Sequence, residues 1–187
     1  MKRLIVLSVG CMLIGLGGGV DVFGQKKTKD LDAPDLKEIP KLIDDLKAKD
    51  GGTRARAADR LAAAAARRSK DVKEAIPTFL DMVKSDSSAD ARKGAAHALG
   101  FADADPMTTV PVLLTALESD KDYGVKAAAA TSLGYIGNST KGAAKDAIPA
   151  LQKAQAEAKA AGKDDKEKAA LGKAAGGALK MISGKTK

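Results

Sequence analysis

The chain has 187 residues and a formal net charge of +8, with aromatics at only 3% and no tryptophan. That length suits one domain, and so few rings exclude a core built on large aromatics, leaving Ala, Leu, Ile and Val to pack closely. Most of the cations are scattered lysines rather than one arginine cluster interleaved with stacking rings, so no nucleic-acid partner is expected.

Residues 1–24 read as a signal peptide. Lys2 and Arg3 form a basic start, and the apolar run Leu4–Val20 follows. Val22 and Gly24 fit the −3 and −1 positions of a signal-peptidase site before Gln25, so cleavage near Gly24 and export to the periplasm or beyond are expected. Two other readings stay open. "LSVGC" resembles a lipobox, which would anchor a lipoprotein through Cys11. An uncleaved anchor is the other, because Leu4–Val20 sits at the short end of the ~17–25 residues that span a bilayer, although Gly17–Gly19 would weaken such a helix. Membrane contact is expected only in these two cases. Cleavage after Gly24 removes Lys2, Arg3, Asp21 and Cys11, leaving a charge of +7 and no cysteine. The mature chain then forms neither a disulfide nor a thiolate metal site. Residues 25–34 are polar and charged and read as a flexible tether.

From residue 35 the chain repeats itself. Four segments open with an apolar–proline pair: "IPKLIDDL", "IPTFLDMV", "VPVLLTAL" and "IPALQKAQ", with Pro40, Pro77, Pro111 and Pro149 spaced 37, 34 and 38 residues apart. After each proline, apolar residues fall near +2, +3 and +6, one face of a helix. Proline near a helix start is tolerated, because its missing N–H needs no partner there. Asp35 with Glu38 and Asp71 with Glu74 have the spacing of a capping box, and Asp105–Pro106 is a third start signal.

An Ala-rich second helix follows each of these. Aligned on Leu61, Leu99, Leu133 and Leu179, the second helices carry small residues four and three places earlier: Ala57 and Ala58, Ala95 and Ala96, Ala129 and Ala130, Ala175 and Gly176. One helix pair cannot bury its apolar stripe alone, whereas a stack of about three or more can. The fold class expected is all-α: a right-handed α-solenoid of about four stacked helix pairs over residues 35–183, with a disordered tail at 184–187. The pattern D-x-x-x-x-[AV]-[RK]-x-x-A-A-x-x-L-G-x-[AI], at Asp86–Ala102 and Asp120–Ile136, resembles HEAT repeats, closest to the short bacterial type also found in phycobilisome lyases. The first and fourth repeats depart from it. The resemblance implies a curved solenoid whose second helices line a concave side that often binds another protein.

Arg54, Arg92 and Lys126, with Asp50, Asp86 and Asp120, resemble the family's inter-repeat charge ladder. They read as ion pairs and caps rather than an anion site. His97, the only histidine, stands where the neighbouring repeats have Asp59 and Thr131. It reads as an ordinary exposed side chain, with no second His or Cys to complete a metal site. Lys93, His97 and Phe101 fall on one helical stripe, and Ala127, Thr131 and Tyr135 on the next. The concave face is thus expected to present Lys93, His97, Phe101, Thr131 and Tyr135 to an unknown protein partner, with the two aromatics as exposed anchors. Packing against the next repeat's loop is the competing role for the two rings. Arg56, Arg60, Arg67 and Arg68 in "RAADRLAAAAARR" form either a cationic stripe or a solvated face. Asn138 begins the sequon "NST". Phosphate loops, nucleophile elbows and zinc-protease motifs are absent, so no enzyme activity and no cofactor are expected. The alternatives are polyanion binding by charge at the envelope, and a lyase- or chaperone-like role taken from the phycobilisome resemblance.

Overall fold

A computed structural model describes residues 33–140, 142–161 and 165–184. Residues 1–32, which include the expected signal peptide, Cys11 and most of the expected tether, lie outside the described residues, as do residues 185–187. Among the described residues, eight α-helices alternate in two roles. The first helices are α1 (Ile39–Asp45), α3 (Ile76–Ser85), α5 (Pro106–Ser119) and α7 (Ile148–Ala160). The second helices are α2 (Gly51–Arg67), α4 (Ala89–Phe101), α6 (Tyr123–Ser139) and α8 (Lys166–Ile182). Each first helix packs on its own second helix, and each second helix packs along the next one. This is the stack of four helix pairs expected, an α-solenoid.

The helix starts follow local chemistry. Every second helix is capped the same way. The side chains of Asp50, Ser88, Asp122 and Asp165 accept from the backbone N–H three residues on, at 2.8, 3.3, 3.0 and 3.1 Å. These contacts satisfy donors that a helix start otherwise leaves open. Pro40, Pro77 and Pro149 stand in the first turn of α1, α3 and α7, each entered through a short 3-10 turn. Pro111 departs from the expected position. Asp105 caps α5 early, its carboxylate accepting from Met107 N–H at 3.0 Å, so Pro111 lies inside the helix, on its exposed side. At Asp35, the N–H donates to the Glu38 carboxylate at 3.0 Å, as a capping box requires. Asp71 forms no such cap. It pairs instead with Arg68 at 3.1 Å within the 3-10 turn Ser69–Ala75.

The core joins the aligned second-helix leucines and their small neighbours to large side chains such as Phe79, Leu113, Leu151 and Leu171. Leu61, Leu99 and Leu133 are buried, and so are Ala57, Ala58, Ala95, Ala96, Ala129, Ala130 and Ala175. Glycine takes the small-residue rule further. A β-carbon on Gly94 would lie 2.9 Å from the Ala58 methyl, and one on Gly100 would lie 2.7 Å from Ser132 Oγ. On Gly134 it would lie 2.8 Å from Ala178 Cα, and on Gly137 2.5 Å from Ile182. The second helices therefore meet nearly backbone to backbone. Ser132 uses this closeness to donate to the Ala96 carbonyl across the seam at 2.8 Å. Gly100 with Ser132 and Gly134 with Ala178 are the same contact one repeat apart, so the leucine register carries through to Leu179.

Gly134→Ala is expected to cost about 1–3 kcal/mol, because backbone rather than a flexible side chain stands in the way. That outweighs the gain of roughly 1 kcal/mol from replacing glycine in a helix. Gly177, in the same layer, has nothing within 4 Å of a β-carbon, so Gly177→Ala is expected to stabilise by up to about 1 kcal/mol. Urea midpoints for the two variants should move in opposite directions.

Candidate functional site

The sequence nominates two constellations, and the structure assembles them differently. The ladder forms two rungs. Arg54 grips Asp86 of the next repeat through Nε and Nη2, both at 2.7 Å. Arg92 grips Asp120 in the same fork at 2.7 and 2.8 Å. Each arginine also turns Nη1 back to its own loop: Arg54 donates to the Ala48 and Lys49 carbonyls, and Arg92 to the Asp86 carbonyl. Each aspartate accepts one backbone N–H, from Ser88 or Asp122. The side chains keep 6–16% of their exposure, so water competes weakly for these forks. The Arg54 hydrogen bond chiefly holds the Asp86 carboxyl below its ordinary range. At Asp120 burial pulls upward, but the Arg92 and Asp122 hydrogen bonds outweigh it and the net shift is downward.

Lys126 is not a third rung. Its ammonium donates to the Glu118 carbonyl at 3.1 Å and stands 5.8 Å from the Tyr123 ring centre. Counting thirteen places back from the aligned leucine gives Asp86, Asp120 and then Lys166, so the fourth repeat offers no carboxylate at that step. Asp50 is a helix cap rather than a ladder acid.

The second constellation lies along the seam of α4 and α6. Phe101 and Tyr135 meet across two repeats, ring centroids 4.6 Å apart and tilted by 41°. Both are half-buried rather than exposed, and burial raises the Tyr135 phenol. They face a cleft of about 290 Å³ together with Leu99, Ile136, Asp103 and Asn138. Asp103 takes the left-handed backbone at φ 52°, which turns the chain at the cleft edge. Ser69, from the turn that leads into α3, lines the same cleft. Thr131 and Lys93 are partly exposed on this seam. Thr131 donates to its own helix, and Lys93 pairs with Asp90 at 2.9 Å.

His97 does not belong to the surface. It is 7% exposed. Gly94, one turn earlier, lets α2 close in to the distance of Ala58 and Asp59. Burial first, and the Lys93 charge second, push its pKa down to about 3. The imidazole is neutral at physiological pH and takes no part in the surface site. Nothing in the sequence distinguishes its position from those of Asp59 and Thr131 except the neighbouring glycine.

A wider groove of about 660 Å³ separates α3 from α5, with Val83, Pro111, Val112 and Ala116 in its walls. Among its polar residues, Arg92, Asp86 and Asp120 are already engaged in the rungs. Among the described residues no cluster of three His, Cys, Asp or Glu could hold a metal, and no helix is long and apolar enough to cross a membrane.

Residues 76–162 match the HEAT repeats family. An engineered protein known from its crystal structure resembles the chain with a TM-score of 0.59 at 22% identity, over 79% of this chain and 63% of that one. The chain thus spans less than two thirds of that protein. A designed armadillo repeat protein in complex with the peptide (KR)4 resembles it with a TM-score of 0.57 at 18% identity, over 81% of this chain and 71% of the other. Among curated proteins none matches significantly.

A double-mutant cycle on Arg92→Ala and Asp120→Ala is expected to give a coupling of about 1.5–3 kcal/mol, the range for a charged hydrogen-bonded fork shielded from water. The exposed pair Lys41–Asp45 should give only about 0.3–0.5 kcal/mol. His97 sets a separate pH window. Its folded pKa of about 3 lies below the unfolded value of about 6.5, so the unfolded chain binds the extra proton between the two. Stability is full above the unfolded value and falls as pH drops towards the folded one, with a slope approaching 1.4 kcal/mol per pH unit. The ladder carboxylates add their own loss only below about pH 4. Denaturation at pH 4.5–6.5 should therefore flatten in His97→Asn, in a region where the ladder variants keep the wild-type slope.

Proposed function

We propose that this HEAT-repeat solenoid is a non-enzymatic, exported binding module that presents the second-helix seam of α4 and α6 to a protein partner. The observation that carries the reading is the Phe101–Tyr135 pair. In a chain with five aromatic residues, two of them stack across neighbouring repeats beside a cleft while keeping part of their surface open. Large rings that keep an open face beside a rigid cleft are the usual anchors of protein interfaces. Lys93 and Thr131 flank the pair and supply a polar margin. His97 supports the seam from below and makes no contact with a partner. The leader at residues 1–24 carries the export part of the reading.

The solenoid holds the seam rigid, so binding loses little to ordering. The designed armadillo relative holds a cationic peptide, (KR)4. This chain carries +8 itself, so the proposed partner is neutral or acidic, because like charge would oppose the encounter.

Peptides selected from a random display library on the immobilised protein provide the test. Phe101→Ala/Tyr135→Ala is expected to weaken the selected peptides by tenfold or more, the loss of one hot-spot cluster. The same double variant should cost about 1–3 kcal/mol in stability, because the rings are half-buried and support each other. Thermal melting keeps the two effects apart, since a variant still folded at the assay temperature reports binding alone. Unchanged peptide affinity in the folded double variant would sink the reading.

A further inference from the structure

We propose that the free edge of α2 is a docking surface for an acidic helical segment of a partner protein, whose carboxylates meet Arg56, Arg60 and Arg67. This surface is distinct from the Phe101–Tyr135 seam and does not depend on it.

The argument begins with register. Arg56, Arg60, Ala63 and Arg67 are spaced i, i+4, i+7 and i+11 and form one stripe along α2. The residues aligned with Arg56 are Gly94, Ala128 and Ala174, and those aligned with Arg60 are Ala98, Ser132 and Ala178. In every later repeat this edge is covered by the second helix before it. Gly94 meets Ala58, Ser132 donates to the Ala96 carbonyl, and Ala178 lies against Gly134. The edge is thus built to receive a helix three times over. For α2, the described residues hold no earlier second helix to cover it. Arg56 and Arg67 stand exposed, with Ala63 keeping the middle of the stripe flat.

Charge selects the occupant. Residues 54–73 hold seven cations, Arg54, Arg56, Arg60, Arg67, Arg68, Lys70 and Lys73, against Asp59 and Asp71 alone. The stripe already holds one carboxylate, since Arg60 Nη2 donates to Glu38 Oε2 at 2.8 Å. Arg60 Nε is buried with no acceptor among the described residues, so its fork is half used. Guanidinium forks match carboxylates in two-point geometry. The chain's own preceding segment does not suit the edge, because Lys26, Lys27 and Lys29 outnumber Asp30 and Asp32. A helix bearing Glu or Asp at one-turn spacing matches both the shape of the edge and its charge.

The test uses the full chain and an alanine-based helical peptide of about five turns with glutamates at i, i+4, i+7 and i+11. Titrations are run at low and physiological salt. The glutamate peptide is expected to bind, and the same peptide with glutamines is not. Arg56→Gln/Arg67→Gln should weaken binding about fivefold or more, two exposed charge pairs' worth. Arg60 is left in place so that its Glu38 pair keeps the fold. Lys166→Gln/Lys180→Gln removes the same charge from the opposite end of the stack and should change affinity by less than about twofold, since screening leaves little beyond a Debye length. Phe101→Ala/Tyr135→Ala should leave it unchanged, which separates this surface from the seam. No binding of the glutamate peptide to the wild-type chain would overturn the proposal. So would equal losses in the two charge variants, or tighter binding of duplex DNA or phosphatidylglycerol vesicles than of the peptide.

Discussion

The near-backbone contact between successive second helices is the constraint on which the rest depends. Gly94, Gly100, Gly134 and Gly137 each stand where a β-carbon would fall inside the neighbouring helix. A chain with so few rings cannot fill wide gaps between helices. It closes the gaps instead, and dispersion along the shared seams replaces the bulk that aromatics would supply. Three features follow from that closeness. Ser132 can reach a helix carbonyl across the seam. His97 is enclosed although its position is polar in the adjacent repeats. Phe101 and Tyr135, at equal places on adjacent helices, come within stacking distance of each other.

Among the described residues, the first and last second helices each carry an edge of the kind that a neighbouring second helix covers elsewhere in the stack. On α2 that edge holds Arg56, Arg60 and Arg67, and α8 carries the exposed Lys166, Lys173 and Lys180. Both edges are basic. Two copies meeting head to tail would bring like charges together over a long edge, which opposes open-ended stacking. Terminal repeats of solenoids need a polar outer face for solubility, and here the polar groups also carry a sign. That sign makes one edge selective for an acidic helix while refusing the chain's own other end.

The repeat architecture could be read from the sequence because its signal is periodic. The leucine alignment placed Leu179 in register, and the contact of Gly134 with Ala178 repeats that of Gly100 with Ser132. The resemblance to a repeat charge ladder named the arginines and aspartates of both rungs, and the structure pairs them. What escaped depended on a single neighbour rather than on a pattern. His97 is buried beside the close approach of α2 at Gly94, and the pattern of polar residues at that place pointed the other way. Pro111 lies inside a helix because Asp105 and Pro106 begin α5 earlier than the other first helices begin. Asp71 has the spacing of a capping box yet is taken by Arg68. Phe101 and Tyr135 were legible as a pair of equivalent positions, but their mutual contact needed the distance between helices.

The charge ladder and the packed seam divide the junctions between them. The first two junctions have both a rung and a seam, and among the described residues the third has no rung. There Lys126 meets the Glu118 carbonyl and the Tyr123 ring, while Lys168 pairs with Asp165 at 3.0 Å and shares that ring. What holds the last repeat is the longer seam of α6 and α8, closed at Gly134 and again at Gly137. A buried fork fixes register, because its two-point geometry fails when one repeat slips against the next. A seam of small residues tolerates a slide more readily, since alanine and glycine present a nearly uniform surface. The junctions on either side of α4 are therefore the best defined in register, and the cleft of Phe101 and Tyr135 spans the second of them. A binding surface assembled from two repeats needs their register fixed, and the Arg92–Asp120 rung joins the same two repeats that contribute the two rings.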